Sequence, residues 1–235
     1  TTLIDLLRTS GINAEKRMQG SVALDIHIEG HSDVDMLILK SDIIMVQRPT
    51  LTGTNYRDAS DSRSMVDIIK ELRLQSEQKL QARYYAANVD TSRDKCISLN
   101  GGSLRREVDI VPSGWFDTYD YQRTAAEYFR AVHIYDKSKH ELIENRPFLH
   151  IKKVNDRDLV YDGNLKKVAR LMKNIIADMP QYKKDKAKNL TSYDIAGIAY
   201  AMDGNLYCSK YLPLVLLENL RSYLFKLCYF DEPRN

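Results

Sequence analysis

Two aspartates, Asp33 and Asp35, stand directly before an apolar run in the stretch "GSVALDIHIEGHSDVDMLIL", which covers residues 20–39. The start of a buried strand is an unfavourable place for carboxylates unless something compensates their charge. Residues two apart on a strand project to the same side, so both carboxylates are expected to point at one site. A third aspartate, Asp109, lies in the apolar stretch "EVDIVPS" and completes the set if its strand is a neighbour of the first.

Three carboxylates that converge repel one another, and bound divalent cations relieve that repulsion. Ligand sets made only of oxygen suit Mg²⁺ or Mn²⁺. Two such ions can activate an attacking hydroxyl and stabilise a leaving pyrophosphate. We therefore expect Asp33, Asp35 and Asp109 to hold two Mg²⁺ ions, with Mn²⁺ as the alternative metal. The competing interpretation is that all three are solvated residues at strand ends.

The dipeptide Gly20-Ser21 lies upstream of the aspartate pair and suits a phosphate. Glycine lets the backbone approach a phosphate closely, and the serine hydroxyl and backbone N–H can donate to its oxygens. Each of these signals is weak by itself. Their combination in one chain is more specific, and it indicates a nucleoside triphosphate carried by metal ions.

A few elements must position these residues. Alternating apolar residues predict two hairpin strands at 21–28 and 34–39, and an Asn-Gly-Gly turn predicts a second hairpin whose later strand carries Asp109. Apolar residues at helical spacing predict a long helix at 64–85. From about Thr124 the pattern becomes helical, and four helices are expected, at 125–132, 163–178, 191–202 and 212–230.

The composition is typical of a globular protein, with 235 residues, 43% of them hydrophobic, and a net charge of +3. So small a charge does not by itself indicate nucleic-acid binding. Strands with one long helix, followed by a helical half, predict an α+β chain. We expect a catalytic core at 1–123 and a helical lobe at 124–235 that completes a nucleotide-binding cleft.

Three cysteines, Cys96, Cys208 and Cys228, are widely separated. This spacing is typical of a reducing compartment and does not suit a disulfide framework or a zinc site. The apolar segment 211–230 contains polar and charged residues, so it is predicted to be an amphipathic helix and not a membrane span. No signal peptide is visible, and we expect a cytoplasmic protein that does not act at a membrane.

The motifs "GSVALDIHIEGHSDVD" and "EVDIVPS" resemble those of polymerase-β-type nucleotidyltransferases, and more narrowly those of the bacterial CD-NTases and their animal relative, cyclic GMP-AMP synthase. The segments "NLKKVARLMKNI" and "TSYDIAGIAYAM" resemble the family's lysine-bearing helix and its Ser-Tyr helix start. The resemblance implies a polymerase-β-like fold, a mixed-sheet catalytic lobe packed on a helical C-terminal lobe. It also implies that Lys173 contacts the triphosphate, Ser192 a phosphate and Tyr193 a base.

The same resemblance implies an activity. The expected enzyme is a Mg²⁺-dependent nucleotidyltransferase that joins ATP, GTP or both into a cyclic di- or oligonucleotide messenger for bacterial anti-phage signalling, with an effector that binds the product. Two other classes remain open: a nucleotidyltransferase that modifies tRNA or protein, and a non-catalytic nucleotide-binding module. The sequence has no His/Cys cluster resembling the zinc insertion of the animal DNA sensor, which argues against sensing double-stranded DNA in that way.

Overall fold

The structure, a computed structural model, describes residues 2–30, 32–209 and 211–229. Within these ranges the strands are β1 (Ala14–Gln19), β2 (Val34–Val46), β3 (Asn88–Asp90), β4 (Ile97–Asn100), β5 (Val108–Asp117), β6 (Ala131–Asp136) and β7 (Glu141–Asn145). The helices are α1 (Leu3–Arg8), α2 (Gly20–Ala23), α3 (Met65–Arg83), α4 (Tyr119–Thr124), α5 (Pro147–Val160), α6 (Asn164–Asp178), α7 (Gln181–Ala187), α8 (Ser192–Ala201) and α9 (Pro213–Tyr229).

The strands form one mixed sheet in the order β1-β2-β5-β4-β3, and β6 and β7 extend it from β5. Strands β2 and β5 are parallel, whereas β1 is antiparallel to β2 and β4 is antiparallel to β5. Strand β6 pairs with the later half of β5, from Ser113 onward. The predicted α+β class is confirmed, and the two strands that carry the candidate aspartates are direct neighbours.

The central strand β2 is buried on both faces, which explains its uninterrupted apolar run. Ile38 packs with Ile69 of α3 in one core cluster. Leu37 and Leu39 pack with Trp115 in another cluster. Successive side chains on a strand point to opposite faces, and a strand covered on both faces is apolar throughout. Each such side chain stabilises the fold by about 1.5–3 kcal/mol, so the aspartates lie at the end of a firmly held element.

The described chain divides into two compact units. The first comprises residues 2–22 and 32–150, and the second comprises residues 23–30 and 151–229 apart from residue 210. Helix α5 from Ile151 onward and helices α6 to α9 build most of the second unit, where Leu24 and Ile26 pack against Leu165 of α6. The boundary between the units lies elsewhere than residue 123, because β6 and β7 belong to the sheet. As a division of function, the predicted boundary stays a prediction.

Two predicted elements are wrong. Residues 21–28 do not form a strand: Gly20–Ala23 is a helical turn, and β1 is the strand that pairs with β2. The alternating Leu24 and Ile26 are buried in the helical core of the second unit, so their spacing reflects burial without strand pairing. The predicted helix at 125–132 is also wrong, because a 3₁₀ turn at Glu127–Phe129 is followed by β6.

The remaining predicted elements are confirmed. The long helix is Met65–Arg83, and the hairpin that carries Asp109 is formed by β4 and β5. Helices α6 and α8 match the predicted ranges within two residues. Helix α9 matches up to Tyr229, and Phe230 lies outside the described residues. None of the helices in the described ranges is both long and apolar enough to cross a bilayer.

Helix α8 begins with a capping box. The Thr191 side chain accepts a hydrogen bond from the Asp194 backbone N–H, and the Asp194 carboxylate accepts one from the Thr191 backbone N–H. Loss of such a cap costs about 1 kcal/mol. We expect Thr191→Ala to lower the free energy of unfolding by about that amount in urea titrations, whereas Thr52→Ala in an exposed loop has little effect. Equal stability of the two variants would contradict the assignment of this cap.

His133 makes the stability of the first unit pH-dependent. Its ring stacks on Phe116 with centroids 4.5 Å apart. Burial, opposed by the Glu144 carboxylate, lowers the pKa of His133. The unfolded chain therefore binds a proton more readily than the folded chain. Stability is full above the unfolded pKa of about 6.5 and falls as the pH drops below it, by at most about 1.4 kcal/mol per pH unit.

We expect His133→Phe to reduce this acid slope, because phenylalanine keeps the stacking and cannot titrate. The measurement is the free energy of unfolding of both proteins at a series of pH values between 5 and 8.5. The two curves should run parallel above pH 7.5 and diverge in acid. An unchanged acid slope in the variant would show that His133 does not contribute.

Candidate active site

A row of polar residues crosses one level of the sheet. Asp35 of β2 pairs with Gln19 of β1 on one side and with Asp109 of β5 on the other. Beyond Asp109 the row continues through Ser98 of β4 to Asp90 of β3. Residues paired across neighbouring strands project to the same face of a sheet. The fold therefore brings the carboxylates of Asp35 and Asp109, distant in the sequence, to the same level and face.

Asp33 lies one residue before β2 and is exposed, while Asp35 and Asp109 are half-buried. The Val34 N–H donates to the Glu107 carbonyl at 2.9 Å, which fixes the start of β2 against β5. Sequence analysis placed Asp109 on a strand and made its role depend on that strand being a neighbour of β2, and the observed register meets this condition. The metal-binding roles of the three aspartates stay predictions.

Gly20 lies directly against Asp35. Its φ angle is +67°, and a Cβ atom built on it would lie 2.0 Å from Oδ2 of Asp35. Only glycine can combine this left-handed conformation with so close an approach. Ser21 follows at the second position of α2 and is buried. Gly20 and Asp35, predicted to belong to one site, are thus neighbours in space.

The Arg93 side chain contacts the aspartate row from the loop between β3 and β4. Its Nη1 lies 3.3 Å from Oδ1 of Asp109, and its Nη2 donates to Oε1 of Glu107 at 2.5 Å. The Ser98 hydroxyl donates to the same Glu107 oxygen at 2.6 Å. Asp109 is therefore already in an ion pair with a side chain of its own unit.

The donor set fits a divalent cation in its chemistry and its register. All three predicted ligands are carboxylates, and two of them are paired on adjacent strands. The side chains are not gathered around one point, however. In residues 2–30, 32–209 and 211–229, no group of three or more His, Cys, Asp or Glu side chains could hold a metal ion as they stand. The chemistry of these donors nevertheless suits a divalent cation.

Cys96 lies beside the same aspartate. Burial, together with the negative charge of Asp109, raises the pKa of the Cys96 thiol to about 11. At neutral pH the side chain is therefore an uncharged thiol, and it adds no negative charge to the aspartate row. A thiol with so high a pKa is a poor nucleophile, so Cys96 is not a candidate catalytic group.

The other predicted nucleotide contacts lie in the second unit. Lys173 of α6 is only 8% exposed, which is rare for a lysine and costly unless its ammonium group interacts. Ser192 and Tyr193 begin α8, and Tyr193 is 60% exposed. A helix N-terminus favours anions, and an exposed aromatic ring can stack on a base. Their roles in nucleotide binding stay predictions.

Sequence reasoning missed Arg93 and Glu107. A signal for Glu107 exists, because Glu107-Val108-Asp109 repeats the acidic-x-acidic pattern of Asp33-Val34-Asp35 on the neighbouring strand. No local pattern marks Arg93. It lies 16 residues from Asp109, and only the fold brings the two together.

Comparisons of the sequence and of the fold with known proteins both find proteins named CdnE. The chain is 42% identical over 216 residues to the cyclic dinucleotide synthase CdnE of Yersinia aleksiciae, an alignment that covers 90% of this chain and 55% of that protein. The fold matches the solved STING-associated CdnE c-di-GMP synthase from Flavobacteriaceae sp., with a TM-score of 0.76 and 22% identity over 97% of this chain and 68% of that one. No family model matches the chain.

A second solved structure agrees. The STING-associated CdnE c-di-GMP synthase from Capnocytophaga granulosa has a TM-score of 0.68 and 28% identity, and the match covers 97% of this chain and 68% of that chain. The chain thus spans little more than half the length of the Yersinia relative and about two thirds of the two solved chains.

The mixed sheet, in which Gly20 packs against Asp35 and Asp35 is paired with Asp109, has the fold of these solved synthases. The chain is thus similar to CdnE synthases in sequence and in fold, as the resemblance of its motifs to those of the CD-NTases led us to expect. The predicted polymerase-β-like fold is confirmed by the same structures.

Proposed function

We propose that this chain carries the catalytic machinery of a Mg²⁺-dependent nucleotidyltransferase that joins two or more NTPs into a cyclic nucleotide messenger. The observation that carries the proposal is the contact between Gly20 and Asp35 beside Asp109. The contact brings Gly20, the first residue of a candidate phosphate-binding dipeptide, next to Asp35, which is paired with Asp109 in the sheet. The names of its relatives, cyclic dinucleotide synthase and c-di-GMP synthase, support the same reaction.

In this proposal Asp33, Asp35 and Asp109 hold the metal ions. Once bound, two Mg²⁺ ions lower the pKa of the attacking hydroxyl and neutralise charge on the leaving pyrophosphate. The protein positions the reactants: Gly20 and Ser21 hold the phosphates, and Asp109 accepts the proton of the attacking hydroxyl. The hydroxyl oxygen bonds to the α-phosphorus, the bond to the β-phosphate oxygen breaks, and pyrophosphate leaves. A second transfer closes the ring.

Three residues of the helical unit are proposed to bind the nucleotide. Lys173 contacts the triphosphate as a point charge, Ser192 donates to a phosphate oxygen, and Tyr193 stacks on a base. The high exposure of Tyr193 agrees with stacking on a base. ATP and GTP are the proposed substrates. Cytoplasmic anti-phage signalling through an effector that binds the product is the proposed biological setting.

Product analysis tests the proposal. The purified protein is incubated with all four NTPs and Mg²⁺, and small products are identified by mass spectrometry, with tRNA and protein present in parallel samples. A cyclic di- or oligonucleotide that disappears in Asp33→Ala/Asp35→Ala is the expected result. If nucleotide becomes attached to tRNA or protein instead, the chain belongs to the first alternative class, a nucleotidyltransferase that modifies tRNA or protein. A variant that behaves as wild type in every sample would favour the binding module.

A further inference from the structure

Arg93 has three acidic partners around the third candidate metal ligand. Its Nη2 donates to Glu107 at 2.5 Å, its Nη1 lies 3.3 Å from Asp109, and its Nε lies 3.5 Å from Asp90. Glu107 is also held by the Ser98 hydroxyl at 2.6 Å. One guanidinium group thus bridges carboxylates from β3, β5 and the residue before β5. This is the arrangement for which the planar, five-donor side chain of arginine is suited.

A buried arginine fixes the backbone of the loop that carries Arg93. Arg73 of α3 is 1% exposed, and its guanidinium donates to four backbone carbonyls of the loop. These carbonyls belong to Thr91, Arg93, Asp94 and Cys96. Because a buried arginine is costly without such partners, the bonds are strongly favoured. The backbone of Arg93 is therefore held in place, and exchange of its partners occurs through side-chain motion.

Within the bridge, the contacts with Asp109 are longer than the contact with Glu107. The Glu107 contact is 2.5 Å, whereas the two Asp109 contacts are 3.3 and 3.4 Å, near the limit for a hydrogen bond. If Asp109 rotates away, Arg93 keeps its contact with Glu107. This difference lets Asp109 leave the ion pair without disturbing the loop.

We propose that Arg93 is a built-in counter-cation for Asp109, which competes with the divalent cation for that carboxylate and lowers the metal affinity of the site. The inference rests on the proposed function and deepens it. It accounts for the side-chain placement, in which the acidic residues share a register and yet do not form a metal cluster in the described ranges. To hold a metal ion, Asp109 would have to release Arg93, and Glu107 would retain the guanidinium.

Two substitutions change the competition in opposite directions. Arg93→Gln removes the competing cation, and we expect Mn²⁺ to bind roughly fivefold more tightly, which corresponds to one partly exposed ion pair. Glu107→Gln removes the carboxylate with the shorter contact, so that the charge of Arg93 is directed more strongly at Asp109. We expect this substitution to weaken Mn²⁺ binding by a similar factor. Arg93→Lys keeps the charge and loses the bridging geometry, so its Mn²⁺ affinity should rise above wild type.

The measurement is Mn²⁺ binding without nucleotide, followed by the EPR signal of free Mn²⁺, with circular dichroism to verify folding. Arg105→Gln serves as the matched control, because Arg105 is an exposed arginine close in sequence to Asp109. It should bind Mn²⁺ as the wild type does. Asp35→Asn removes a proposed metal ligand and should therefore abolish tight binding of Mn²⁺.

These variants separate the inference from the proposed function. If wild type binds Mn²⁺ in an Asp35-dependent manner and Arg93→Gln has the same affinity, the counter-cation role is overturned and the enzyme assignment stands. If Arg93→Lys binds Mn²⁺ with the same affinity as the wild type, any positive charge at this position would be sufficient. The role assigned to the bridging guanidinium would then also be overturned. If no Asp35-dependent Mn²⁺ binding occurs in wild type, both proposals are overturned.

Discussion

Gly20→Ala is expected to lower the rate of nucleotide transfer about 100-fold. The added methyl group would lie 2.0 Å from Oδ2 of Asp35 and 2.8 Å from its Cγ, so either the carboxylate or the phosphate loop must move. A displacement of about 1 Å at a catalytic group can cost that much in rate. The measurement is pyrophosphate release from ATP and GTP at saturating Mg²⁺.

Gly53→Ala is the matched control for this experiment. Gly53 also has a positive φ angle, +89°, and a methyl group added there would have no neighbouring atom within 4 Å. It therefore imposes the same kind of backbone strain, about 1–2 kcal/mol, without a clash at Asp35. We expect Gly53→Ala to lose some stability and to keep its activity. Equal activity of the two variants would show that the contact between Gly20 and Asp35 does not matter for the reaction.

Asp35→Asn should cause the largest loss of activity, about 10³-fold or more. The amide removes the negative charge that a divalent cation requires, while its size and the strand register stay the same. Since Asp35 is paired with Asp109 across β2 and β5, the substitution also removes a like-charge repulsion. Thermal stability is therefore expected to equal or exceed that of the wild type, which separates a catalytic from a structural defect.

Asp58→Asn, in an exposed loop, controls for the general effect of removing one negative charge. Its activity and melting temperature should match the wild type. An Asp35→Asn protein that is folded and retains most of its activity would contradict the assigned role of this carboxylate. A protein that is inactive because it is unfolded would indicate a structural role instead.

Local sequence patterns predicted the elements whose signals arise from their own residues. The apolar run of residues 36–39 marked the buried part of β2, because a segment covered on both faces is apolar at successive positions. The Asn-Gly-Gly turn marked the hairpin of β4 and β5, and helical spacing marked α3. Together these features placed Asp35 and Asp109 on two strands, and the structure supplied the fact that these strands are neighbours.

The predictions that were wrong or missing concern residues whose structure is decided by tertiary contacts. Leu24 and Ile26 alternate as strand residues do, and they are buried in the helical core of the second unit rather than paired in the sheet. Strand β1 has little apolar character, since its sequence is AEKRMQ. The ion pair between Arg93 and Asp109 depends on a loop fixed by the distant Arg73, so no local pattern could indicate it. Contacts of this kind require the three-dimensional structure.

Crystals soaked with Mn²⁺ and a non-hydrolysable GTP analogue provide the most direct test of the central claim. An anomalous difference map locates Mn²⁺ without reference to the protein atoms. We predict manganese peaks that contact Asp33, Asp35 and Asp109, with the triphosphate beside Gly20 and with Asp109 turned away from Arg93. A bound nucleotide without manganese at these carboxylates, or manganese at another place with the ion pair of Arg93 and Asp109 intact, would contradict the account.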